Sequence, residues 1–210
     1  MGEAKLKKAV TENLDIERVS MAIAKMCSAT SGAHGQDCYL HAALGKAMLT
    51  RLGARCEMAI GYAAWRVGDG NADTLVHHPS ALKGAYVGMG GGDGEMYHAW
   101  VEVGNRIYDP STYLIRHKCA TLDALDGYVT TIDWCPDYLY VPRSESVSFN
   151  RVCMETAGLF YYERVPLLEA RARREAKSLD PHVLLTTWIL YSNPDCVMTG
   201  PNGVFESAPL

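Results

Sequence analysis

Tyr97-His98-Ala99-Trp100-Val101-Glu102-Val103, then Gly104-Asn105, then Arg106-Ile107-Tyr108-Asp109 is the stretch from which the fold can be read. Alternate side chains of a strand point to opposite faces. The pattern therefore sends His98, Trp100 and Glu102 one way and Tyr97, Ala99, Val101 and Val103 the other. Gly104-Asn105 suits a tight hairpin turn that returns the chain over Arg106–Tyr108. Asp109 is then expected beside the His98 ring.

Upstream, residues 4 to 30 carry Leu6, Val10, Leu14, Ile16, Val19, Met21, Ile23 and Met26 at near-helical spacing, which predicts one or two helices. Ser31 to Gln36 reads as a glycine-containing turn. A further helix is expected from about Cys38 to Leu52, with Leu40, Leu44, Ala47 and Met48 on its apolar face. Arg51 suits its last turn and Gly53 its C-terminal cap. Cys56 to Val67, Tyr138 to Val141 and Leu159 to Val165 have strand chemistry. Helices are expected near 166–178 and 181–191, the second opened by Asp180-Pro181, and the tail from Asn193 reads as irregular.

Residues 68 to 96 contain Gly68, Gly70, Gly84, Gly88, Gly90, Gly91, Gly92 and Gly94 and fit neither element. They read as a long loop or loose hairpin, either a mobile lid over a site or a surface insertion. Helices followed by an antiparallel meander predict the α+β class and not a parallel βαβ sheet. A chain of 210 residues suits a single domain over 1–210.

Apolar residues make up 48% and charged residues 21%, the balance of a soluble globular protein. The net charge of −4 gives no global attraction for nucleic acid or acidic membranes. Arg171, Arg173, Arg174 and Lys177 are interleaved with Glu169 and Glu175, as on a solvated helix face. The first residues lack the apolar core of a secretory signal, and no run reaches the ~18 apolar residues of a membrane span. Seven cysteines, an odd number without paired spacing, suit reduced thiols and a cytoplasmic setting. The sequence specifies no oligomeric state.

Cys38 falls in the first turn of the helix expected after the glycine turn, where unpaired N–H groups and the helix dipole favour a thiolate. His98 on a strand is held more rigidly than it would be on a loop. A carboxylate at Asp109 would fix the imidazole tautomer and stabilise the imidazolium, and the thiolate–imidazolium pair is the activated nucleophile of covalent catalysis. A metal centre is the rival reading: Cys38 and His41 share a helix face, and His34, His98 and the pair His77-His78 could complete a tetrahedral set. No Cys-x2-Cys or His-Glu-x-x-His spacing supports it, so no metal and no cofactor is assigned. His77-His78 is expected in an exposed loop. Trp100 is placed either along a substrate groove or in the packing of the sheet.

Gly35-Gln36-Asp37-Cys38, His98-Ala99-Trp100-Val101-Glu102 and Tyr108-Asp109-Pro110-Ser111 together resemble the transglutaminase-like superfamily of papain-type cysteine enzymes, over roughly residues 30 to 115. The resemblance implies Cys38 as nucleophile, His98 as general base and Asp109 as the group that orients it. The Cys38 backbone N–H and the Gln36 amide would form an oxyanion hole. Transglutaminases typically carry Gly-Gln-Cys-Trp, whereas Asp37 intervenes here and Tyr39 follows, which argues against an animal-type transglutaminase. A carboxylate beside the nucleophile should raise its pKa unless Asp37 is spent capping the helix. The expected activity is hydrolysis of a peptide or amide bond through an acyl-enzyme on Cys38. The alternatives are transfer of the acyl group to an amine, or a non-catalytic binding protein that keeps the fold. The expected partner is a peptide or amide-containing substrate, with no nucleic acid and no membrane.

Overall fold

The computed structural model describes residues 14–32, 37–71, 73–78, 96–175 and 178–205. Helix α1 (Ile16–Thr30) starts where the Arg18 backbone N–H donates to Asp15 Oδ1 at 3.0 Å, the N-cap contact that satisfies an orphan donor. Val19, Ile23 and Cys27, each four residues from the next, are fully buried against α2 (Cys38–Arg51), which contributes Leu44, Met48 and Leu49. Gly53 follows α2 at φ +86°, the left-handed conformation that ends helices without a Cβ penalty. Residues 4 to 13, where a further helix is expected, lie outside the described residues.

Strand β1 (Cys56–Arg66) is the spine of a six-stranded, wholly antiparallel sheet. One of its edges pairs in tandem with β3 (His98–Val103), from Cys56 opposite Val103 to Gly61 opposite His98. It then pairs with β2 (Thr74–His77), from Ala63 opposite His77 to Arg66 opposite Thr74. The other edge carries β6 (Phe160–Arg164), from Gly61 opposite Arg164 to Trp65 opposite Phe160. β4 (Arg106–Asp109) joins β3 through the expected turn, with Gly104 at φ +61°, and β5 (Leu139–Pro142) joins β4.

Both faces of the sheet are covered. Met58, Ile60, Ala99, Val101, Val103 and Tyr108 face α1, α2 and the Leu168 and Ala172 side of α5 (Pro166–Glu175). Ala59, Ala63, Trp65, Trp100, Ile107, Phe160 and Tyr162 form a second core with Ile115 and Cys119 of α3 (Ile115–Asp126). This two-sided burial is why β3 alternates between two kinds of bulk and not between apolar and polar residues. The fold is α+β, as expected. No helix among the described residues is long and apolar enough to cross a membrane.

Several stretches differ from expectation. α3 and the six-residue α4 (Phe149–Met154) carry no long apolar period. Among the residues of α3 only Ile115, Lys118 and Cys119 are buried, so tertiary contacts and not amphipathicity hold it. The glycine-rich segment is not all loop, since Thr74–His77 is strand β2; residues 79–95 lie outside the described residues. His77 and His78 are half-buried and not exposed. After α6 (Pro181–Ser192), capped by Asp180 as expected, the tail forms a hairpin of β7 (Met198–Gly200) and β8 (Gly203–Phe205). It is held to α1 by Asn202 Nδ2, which donates to the Ser28 and Ser31 carbonyls at 3.0 and 2.8 Å.

Candidate active site

Cys38 opens α2, His98 opens β3 and Asp109 closes β4. The hairpin sets the second and third side by side: His98 Nε2–H donates to Asp109 Oδ2 at 2.7 Å, with both side chains fully buried. That bond fixes the tautomer and leaves Nδ1 as the nitrogen that Asp109 does not hold. Nδ1 has no well-aligned hydrogen-bond partner among the described residues. The thiol whose ionisation is linked to this ring is that of Cys38. Burial pushes the Cys38 pKa up. The neighbouring His98 ring, then the Lys118 ammonium and the Ala99 backbone amide, overcome this and bring it below the ordinary cysteine value. Burial likewise opposes the His98 imidazolium, but the charge and hydrogen bond of Asp109, followed by Cys38, raise its pKa. Both shifts run in the direction of a thiolate–imidazolium pair. The Cys38 Sγ lies 4.0 Å from the Tyr97 carbonyl.

Asp109 is held by four donors. Oδ2 also accepts from the Tyr162 hydroxyl at 2.7 Å, while Oδ1 accepts from the Ser111 backbone N–H at 2.9 Å and the Ser111 hydroxyl at 2.8 Å. Burial opposes its ionisation, yet the His98 charge and these bonds hold its carboxyl far below the usual carboxylate range. Because its folded pKa is depressed, the stability its ionisation supplies is complete above the unfolded value near 3.8 and is lost as pH falls below that towards the folded value. The Tyr162 hydroxyl in turn accepts from Trp65 Nε1–H at 2.9 Å, and the Trp65 ring stands edge-on to His98 with centroids 4.8 Å apart. Tyr162→Phe strands that indole N–H in the core. It is expected to cost about 1–3 kcal/mol, read as a lower urea midpoint at unchanged slope; a loss under about 0.5 kcal/mol would mean the indole finds another acceptor.

The other expected site residues divide. Trp100 is fully buried, packed 5.2 Å from the Tyr162 ring in the second core, so it lines no groove: the packing alternative is the one observed. Gln36 lies outside the described residues, as does His34. The Cys38 backbone N–H, at the first helical position, is one of the donors a helix cannot satisfy internally. Asp37 precedes the helix but its carboxylate makes no capping bond. His77, expected in an exposed loop, instead reaches the site: Nδ1–H donates to the Tyr97 carbonyl at 3.3 Å, and its ring lies 5.4 Å from that of His98. Burial, with help from Lys118 and His98, drives its pKa far down and keeps it neutral. His41 meets Tyr113, whose hydroxyl is 2.9 Å from Nε2.

Tyr162, Trp65 and Lys118 were not among the expected residues. Tyr162 lies 53 positions from Asp109, on a strand whose own residues carry no sign of that contact. The Ser111 contact has a local signal, since an aspartate commonly accepts from the backbone N–H two residues on.

No family model and no curated protein matches the chain. A solved crystal structure of a genomics target is similar over 93% of this chain and 90% of its own length, at a TM-score of 0.57 and 18% identity. Identity that low makes this a likeness of fold alone.

Proposed function

We propose that the protein is a thiol-dependent hydrolase of peptide or amide bonds, with the papain-type transglutaminase-like arrangement of nucleophile helix and His–Asp hairpin. The observation that supports it is the buried 2.7 Å bond between His98 and Asp109, which leaves His98 Nδ1 to a thiol of lowered pKa. The Cys38 thiolate attacks the carbonyl carbon, and the Cys38 backbone N–H lies at the helix start to receive the oxyanion. His98 Nδ1–H protonates the departing amine as the C–N bond breaks, leaving a thioester. Water then attacks that thioester, gives its proton to His98 Nδ1, and releases the acid with the ion pair restored.

The test is iodoacetamide at about pH 6, where an ordinary thiol of pKa near 8.5 is almost wholly protonated. Cys38 is expected to label selectively and fast in the native protein, and His98→Ala, with its fold verified by circular dichroism, to abolish that selectivity. Equal slow labelling of all seven cysteines would overturn the reading. A panel of peptide and arylamide substrates, with and without added primary amine, then separates hydrolysis from acyl transfer by product mass.

A further inference from the structure

Asp37, just before α2, is a buried carboxylate that accepts no hydrogen bond among the described residues. Asp37 keeps only 7% of its side chain exposed, and neither of its carboxylate oxygens has a hydrogen-bond partner among the described residues. His41 Nδ1 is 3.5 Å from Oδ1, outside bonding geometry. An ionised carboxylate withdrawn from water without donors or a cation is strongly disfavoured, and the residue is not used as a helix cap. Two further groups converge on it: the thiol of Cys27 from the last turns of α1 and His41 Nδ1 from the first turn of α2. The three candidate ligand atoms all lie within 4.8 Å of one another.

We propose that Cys27, Asp37 and His41 bind a divalent metal ion of the zinc class, which staples the end of α1 to the start of α2. One sulfur, one imidazole nitrogen and one carboxylate oxygen form a donor set suited to zinc. Bond lengths near 2.0–2.3 Å put such ligands roughly 3.5 Å apart, so the site closes by about an ångström on loading. A fourth position stays open to water. His41 already has the outer contact of a ligating histidine, because its far nitrogen meets the Tyr113 hydroxyl at 2.9 Å.

Nδ1 now faces the Asp37 backbone carbonyl at 3.0 Å. Loading places the ring proton on Nε2, from which it donates to Tyr113, and frees the Nδ1 lone pair. A thiol coordinates as the thiolate, so binding through Cys27 releases its proton to solvent. The site adjoins Cys38 but shares no residue with the proposed triad.

The closing experiment uses Cys38→Ala protein, so that the triad thiol cannot supply a ligand and the result does not depend on whether the chain is an enzyme. Stripped protein is titrated with zinc against a chromophoric chelator, and separately with cobalt(II). One equivalent is expected per chain, with about one proton released, a thiolate-to-cobalt absorption band and a raised melting temperature. Asp37→Asn, which removes the orphaned charge at constant shape, should still fold and should weaken binding by about 100-fold. Cys27→Ala should abolish the charge-transfer band. No zinc bound by the Cys38→Ala protein, or equal binding with Asp37→Asn, would overturn the proposal, and Asp37→Asn decides alone if Cys27→Ala does not fold.

Discussion

Asp109→Asn is expected to lower the rate of any reaction at Cys38 by about 10³–10⁴-fold, the scale on which serine triads respond to the same change. The size of the effect follows from the four donors around the carboxylate. An amide accepts through its oxygen only, so its NH2 group must face one of the two donor pairs. The Ser111 backbone N–H, 2.9 Å from Oδ1, cannot be turned round, whereas His98 can change tautomer and the Tyr162 hydroxyl can rotate. The amide oxygen therefore stays with Ser111, and the NH2 donates to His98 Nε2. That imidazole becomes neutral with its proton on Nδ1, facing Cys38, and can no longer take the thiol's proton there. Burial then dominates the thiol, whose pKa rises. Selective labelling at about pH 6 should vanish along with turnover, while the fold persists. Turnover within tenfold of the wild type would show that the amide sits the other way and that Asp109 is not the orienting group.

The hairpin that carries His98 and Asp109 was legible because strand alternation and a two-residue turn are local signals, and the observed register follows them. The start of α2 at Cys38 was equally legible, from a glycine turn before an apolar period. The supports of the site were not. Tyr162 meets Asp109 only because β6 pairs with β1, and nothing in Phe160–Arg164 announces which edge it will take. His77 reads from sequence as part of a glycine-rich loop, but four residues there extend the β1 edge beyond the end of β3, which brings the imidazole to His98. α3 is exposed along most of its length and still delivers Lys118 close enough to lower the Cys38 pKa. Non-local pairing and single buried charges decide such contacts, and neither leaves a period in the sequence.

Gly61→Ala should be among the most destabilising single changes in the chain, at about 3 kcal/mol, the upper end of what overpacking costs. A Cβ at this position would lie 1.9 Å from the Glu163 carbonyl oxygen and 2.8 Å from the Val165 nitrogen. Both are backbone atoms, so no rotamer change relieves the overlap and β6 itself must move. Gly61 stands opposite His98 on one edge of β1 and opposite Arg164 on the other. Just beside it, the Val165 N–H donates to the Ile60 carbonyl at 2.9 Å, a bond the displacement would stretch. Gly32, where a Cβ meets nothing within 4 Å, is the control in which alanine should be nearly neutral. The same movement would draw the Tyr162 hydroxyl from Asp109, so labelling of Cys38 should slow even in the fraction that remains folded. Urea unfolding of the two variants makes the comparison. If Gly61→Ala lies within about 1 kcal/mol of the wild type, β6 does not close against β1 as described, and the Tyr162 support of the triad falls with it.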